Sequence, residues 1–179
     1  GDAPGSIPIR GGQIVIEQDS QVLAENQSPV PADPAEPGPG AISIDASESL
    51  VVDHSLLLVD SSGAGNAGTI HITSPEVTFQ NGPGLFHDFR DPTDPRNQSR
   101  RVEVGASAVA SGSGAGGRIE IEAEKSLTLQ KGASMSAGSF GIYPSAATGD
   151  GGSIRIEAGS LEVLDRSNLT AGAFRSEGN

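Results

Sequence analysis

Gly152-Ser153-Ile154-Arg155-Ile156-Glu157-Ala158-Gly159-Ser160-Leu161-Glu162-Val163, followed after a polar stretch by Asn168-Leu169-Thr170-Ala171, is the segment on which the fold turns. The same order stands near the N-terminus as Gly5-Ser6-Ile7-Pro8-Ile9-Arg10-Gly11-Gly12-Gln13-Ile14-Val15-Ile16, then Gln21-Val22-Leu23-Ala24. The spacings coincide: Ile156 to Leu161 matches Ile9 to Ile14, and Val163 to Leu169 matches Ile16 to Val22. Two further copies are built on Ile42, Ile44, Leu50, Val52 and Leu58, and on Ile119, Ile121, Leu127, Leu129 and Met135. Another has Ile70, Ile72, Val77 and Phe79, is interrupted, and resumes at Val102, Val104, Ala108 and Ala110. Recurrence of this kind marks a stacked array.

Each copy holds three short stretches of apolar/polar alternation, the two-residue period of a strand with one buried face. Ile and Val, which favour strands, take most of the inward positions. Gly, Ser, Asp and Asn lie between the stretches, and the Gly-rich runs such as Gly63 to Gly68 read as turns. No segment sustains apolar residues at i, i+3, i+4 and i+7, so a helical reading fails. The five copies begin near residues 5, 40, 68, 117 and 152 and fill residues 1–179 as one segment. Their first isoleucines, Ile7, Ile42, Ile70, Ile119 and Ile154, are 35, 28, 49 and 35 residues apart. The 28-residue step is a bare coil, and the longer steps add three inserted loops, 26–40 (Pro-rich), 80–101 and 139–150. The expected fold is therefore all-β, a parallel β-helix of about five coils. Strands paired at about 4.8 Å make it a rod roughly 25 Å long.

Composition agrees. The 179 residues include 25 Gly and 12 Pro but only five Phe, one Tyr, one Met, no Trp and no Cys. Stacked aliphatic side chains fill a narrow β-helical interior without aromatics. The net charge of −12 and pI near 4.5 argue against duplex nucleic acid as a partner, because phosphate binding needs cationic groups. No run approaches the roughly 18 apolar residues of a membrane span. Absence of cysteine removes thiol catalysis, disulfides and zinc-thiolate sites.

The phrases Gly-Asn-Ala-Gly-Thr-Ile-His-Ile at 65–72, Gly-Ala-Gly-Gly-Arg-Ile-Glu-Ile at 114–121 and Gly-Asp-Gly-Gly-Ser-Ile-Arg-Ile at 149–156 are each followed by a Leu-x-Leu-type strand. As a set they resemble the repeats of filamentous-haemagglutinin-like exoproteins, particularly the cyanobacterial surface proteins described as S-layer-like or adhesin-like. The resemblance covers the chain apart from the three loops. It implies a right-handed solenoid, export by two-partner secretion, an extracellular or cell-surface location, and a role in adhesion, sheath or filament formation. It brings no active site. The secretion domain of that family, with its own diagnostic motifs, is not recognisable in the chain.

Parallel β-helices also include polysaccharide lyases and hydrolases, whose acid/base chemistry needs a pair of carboxylates across a groove. Glu120 and Arg155 are expected to face outward at equivalent positions of neighbouring coils, as are Glu122 and Glu157. They read either as a saccharide or calcium site or as a solvated face with a Glu120–Arg155 ion pair and a Glu122–Glu157 pair eased by Arg155; the second is preferred. The 80–101 insertion gathers Phe86, His87, Asp88, Phe89, Arg90, Asp91, Asp94 and Arg96. Its acids suit a hard cation, but Arg90, Arg96, Arg100 and Arg101 neutralise them, and no EF-hand spacing is present. His54, His71 and His87 share no metal-site spacing, and no serine sits in a nucleophile elbow. Asn-x-Ser/Thr triplets at Asn97 and Asn168 need mean nothing in a protein of the bacterial kind that the resemblance implies. No catalytic, cofactor-binding or metal residue is assigned, and no cofactor is expected.

Both ends of the chain fall at the same phase of the repeat, without an evident capping copy. The partner expectation is therefore end-to-end self-association or continuation of a longer array, with surface glycans as a further ligand class. The expected function is a structural or adhesive surface rod, not an enzyme. A carbohydrate-binding or polysaccharide-cleaving β-helix is the alternative. An ice-binding face is disfavoured, because the outward positions Pro8, Ser43, His71, Glu120 and Arg155 form no regular Thr ladder.

Overall fold

In the computed structural model, residues 5–26, 40–81, 105–110, 113–140 and 149–174 are described. They form strands and connections, without a helix, and every pairing between strands is parallel. The first sheet runs in the order β1 (Ser6–Ile16), β3 (Ala41–Asp53), β5 (Thr69–Gln80), β7 (Arg118–Gln130), β10 (Leu161–Val163), with β9 (Ser153–Ala158) also on β7. The second runs β2 (Gln21–Asn26), β4 (Leu56–Ser61), β6 (Gly105–Ala110), β8 (Ser134–Phe140), β11 (Asn168–Phe174). The chain thus visits the two sheets alternately, and each visit pairs with the one a repeat earlier.

The three expected stretches per copy resolve differently. The first two are one strand that bends at a corner, where the register shifts between Gly11 and Gln13, Asp45 and Ser49, and Ser74 and Glu76. Only the last repeat breaks there, into β9 and β10. The third stretch forms the second sheet. From one sheet to the other the backbone passes through left-handed conformations at Gln18 and Asp19, His54, Lys131 and Gly132, and Asp165 and Arg166.

Parallel pairing in register places like on like. Ile7, Ile42, Ile70, Ile119 and Ile154 form one column, and Ile9, Ile44, Ile72, Ile121 and Ile156 another. Columns through Leu50 and Leu127 and through Val52, Phe79 and Leu129 continue the first sheet's inner face, all of them buried. In the second sheet Leu57, Ala106 and Met135 stack, beside Val59, Ala108 and Ala137. The inward residue of the second copy is therefore Leu57, not Leu58; the alternation is offset by one, and Leu58 is only half-buried. Ala108 and Ala110 are inward as expected, whereas Val102 and Val104 lie outside the described residues. Phe79 shares a repeat with Ala106, so the largest core side chain stands in a layer with one of the smallest. Each fully buried Ile or Leu contributes about 1.5–3 kcal/mol.

The Gly-rich phrases are more than turns. Gly68, Gly117 and Gly152 occupy one column, joined by hydrogen bonds from Arg118 N–H to the Gly68 carbonyl and from Ser153 N–H to the Gly117 carbonyl, both 3.0 Å. A Cβ on any of the three would collide with the carbonyl oxygen of the column residue before it: Gly40, Gly68 and Gly117 respectively. At Gly117 it would also lie 2.9 Å from the Ala108 Cβ. Asn66, in the same phrase, is buried and ties repeats together: its side-chain oxygen accepts from Ala115 N–H at 2.9 Å, and its carbonyl accepts from Asn26 Nδ2 at 3.1 Å. Gly117→Ala is expected to cost about 1–3 kcal/mol, the usual penalty of overpacking, read as a lower urea midpoint. An unchanged midpoint would show that the column has slack.

Candidate functional site

Outward side chains of the first sheet stack as the inward ones do. Pro8, Ser43, His71, Glu120 and Arg155 form one outer column, and Arg10, Asp45, Thr73, Glu122 and Glu157 the next. The registers Glu120 with Arg155 and Glu122 with Glu157 match the sequence reading. The expected Glu120–Arg155 ion pair does not form. Glu120 instead meets His71 Nδ1 at 3.6 Å and Arg118 of its own strand at 3.7 Å, while Arg155 pairs with Glu157. Side chains two apart on a strand share a face, so these arginines neutralise their own strand's glutamate. Thr73 Oγ1 lies 3.3 Å from His71 Nε2 and holds the ring from its other side. Arg10 and Asp45, 3.9 Å apart, are mostly exposed, and such pairs contribute little.

At the corner of the first sheet a shallow, open groove of about 550 Å³ runs across repeats. Asp45, Glu122, Glu124 and Glu157 give it carboxylates, and Ser47, Thr73 and Ser74 give it hydroxyls. Glu120 and Arg155 lie outside it, so the structure separates the four residues that the sequence grouped. Among the described residues, no three His, Asp or Glu side chains converge as a metal-ligand set. His54 stands in a turn with Nε2 3.3 Å from Asp19 Oδ1, apart from His71. Asn168 opens β11 and accepts from Ser134 Oγ at 3.0 Å. Phe86, His87, Asp88, Phe89, Arg90, Asp91, Asp94, Arg96, Asn97, Arg100 and Arg101 lie outside the described residues.

Two polar features escaped the sequence reading. Asp53, Gln80 and Gln130 share a register and form a ladder: Gln80 Nε2 donates to Asp53 Oδ2 at 3.0 Å, and Gln130 Nε2 to Gln80 Oε1 at 2.8 Å. The signal was a polar residue directly after Val52, Phe79 and Leu129 in three of the five copies. On the second sheet Asp60 stands opposite Glu25. Partial burial, then the Glu25 charge, push the Asp60 carboxyl above the usual 3.8, against an opposing hydrogen bond from the Ser61 backbone.

No family model, curated protein or solved structure matches the sequence. Among the described residues no helix is long and apolar enough to cross a membrane.

A carboxyl whose value is raised on folding favours the protonated state. Its stabilising contribution is present below the ordinary carboxylate value and is lost as pH rises through the raised one. Asp60→Asn is therefore expected to raise the thermal midpoint at pH 7 relative to the parent and to narrow that difference as pH falls. A variant less stable than the parent at pH 7 contradicts the assignment.

Proposed function

We propose that the chain is a stretch of right-handed parallel β-helix serving as an extracellular structural or adhesive rod: a segment or protomer of a cell-surface filament, sheath or adhesin. The observation that carries this reading is the alternation of the chain between two wholly parallel sheets, with every repeat in register on the one before. Such a path is the one expected of a solenoid, whose repeats contact only their neighbours. Parallel crossovers within one sheet are almost always right-handed, which supports the hand. The likeness of the Gly-rich phrases to haemagglutinin-like repeats supports secretion and surface display. An outer face of mixed charge pairs supports a scaffold rather than a reactive centre, so the proposed role is not enzymatic.

End strands support the partner reading. β1 and β2 at one end, and β9, β10 and β11 at the other, each pair on one side only among the described residues. Leu161, Val163 and Leu169 stand in inward columns yet are 47%, 41% and 36% exposed. Further coils of a longer array, or a second copy, would cover them. The charge of −12 keeps neighbouring rods apart laterally. Small-angle scattering and negative-stain microscopy of recombinant 1–179 are expected to give elongated particles, and antibodies to it are expected to label material outside the producing cell. An isotropic particle overturns the rod, and label confined to the cytoplasm overturns the location.

The corner groove favours one second reading, a β-helix that binds or cleaves carbohydrate, with Glu122 and Glu157 as the acidic pair. Glu122→Gln with Glu157→Gln is expected to leave binding and turnover of anionic glycans unchanged. A tenfold loss from a measurable parent activity would move this reading ahead of the scaffold.

A further inference from the structure

Beyond its corner the first sheet presents a second outer face, which differs from the one that carries His71 and Glu120. Its middle column is Val15, Val51, Thr78 and Thr128, in register from strand to strand and followed by Glu162. Val51, Thr78 and Thr128 are half-buried, and none carries a charge. The column on the corner side is Gln13, Ser49, Glu76 and Ser126, and the one at the far border is Asp53, Gln80 and Gln130. β-Branched side chains in register make a flat strip, of the kind that two sheets bury when they pack aligned, about 10 Å apart. Over β3, β5 and β7 its charges stand at the borders. On one side Glu76 pairs with Lys125 at 3.1 Å. On the other, Asp53 Oδ2 accepts from Gln80, whose Oε1 accepts from Lys131 Nζ at 3.3 Å. Two acids and two bases thus cancel, in a chain of net charge −12, and the corner acids Glu48 and Glu124 lie beyond the strip.

We infer that this strip is a lateral pairing surface for a second copy of the chain, the two rods lying parallel with a two-fold axis between them along the rod direction. This rests on the stacked-coil reading and extends it from one rod to a sheath of rods. Such an axis sets the column of Val51, Thr78 and Thr128 against itself and lays each border of the strip against the opposite border. Glu76 of one copy then faces the border that carries Lys131 of the other, and Lys125 faces the border that carries Asp53, so acid meets base on both sides of an uncharged middle. A two-fold axis laid along β5 would instead set Glu76 against Glu76, which is unfavourable. The other described outer faces offer no such strip: charges occupy the columns through Glu120 and Glu122, and Glu25 stands beside Asp60 on the second sheet. Repulsion between rods of net charge −12 therefore confines lateral contact to one face. A strip three residues wide buries little per coil, so affinity grows with the number of coils in register.

The test is thiol crosslinking of recombinant 1–179 carrying Thr128→Cys, with Ser43→Cys on the other outer face as the control; the chain has no cysteine of its own. The reagent is a bismaleimide spanning about 10 Å, the separation of packed sheets. Thr128→Cys is expected to give a band at twice the 18.0 kDa chain mass that rises with protein concentration, and Ser43→Cys about tenfold less of it. Thr78→Lys sets two ammonium groups against each other across the axis and is expected to lower the Thr128→Cys yield about tenfold, with the urea midpoint of the parent retained. Thr78→Val is expected to keep the yield. Equal yields at the two cysteine positions, a yield indifferent to Thr78→Lys, or a Thr128→Cys chain that stays single because a glycan or another protein covers the strip, each overturns the pairing. Small-angle scattering of the same samples separates the two readings: elongated single chains leave the rod standing without its partner, and an isotropic particle removes both.

Discussion

Everything in this molecule follows from one constraint: each repeat must lie on the previous one at the backbone hydrogen-bonding distance, in register, over two sheets at once. That distance, about 4.8 Å, is too short for anything but the main chain at some positions. It explains why the column through Gly68, Gly117 and Gly152 admits no Cβ, since the carbonyl oxygen of the residue before stands where that atom would go. It also explains why identical side chains recur in each repeat. Isoleucine over isoleucine fills the width of a column without forcing the strands apart.

The same spacing sets the chemistry of the surface. Outward residues are brought together by register whether or not their charges suit one another, and like charges opposite each other are unfavourable. The chain answers in two ways. Arg118 and Arg155 neutralise glutamates two residues along their own strands, and the Asp53, Gln80 and Gln130 ladder replaces charge by amides. Asp60 stands opposite Glu25 with neither remedy present, and partial burial first, then that charge, leave its carboxyl holding its proton more tightly.

A stack of this kind has no natural end, because each edge repeats the pattern that built the interior. Whether it extends depends on whether its last strands offer a full set of donors.

The strand content, the repeat, its phase and most of the inward columns were legible in the sequence, because a two-residue alternation recurring at a fixed spacing has few other solutions. Ile42, Ile70 and Ile119 could be stacked on paper. What only the tertiary structure decided depends on direction and distance between repeats. Leu57 rather than Leu58 points inward because a turn through left-handed His54 resets the alternation. Glu120 chooses His71 and Arg118 over Arg155 because side-chain reach, not register alone, selects an ion-pair partner. The glycines proved to be points of close approach, because the distance between neighbouring backbones exists only once two strands lie side by side.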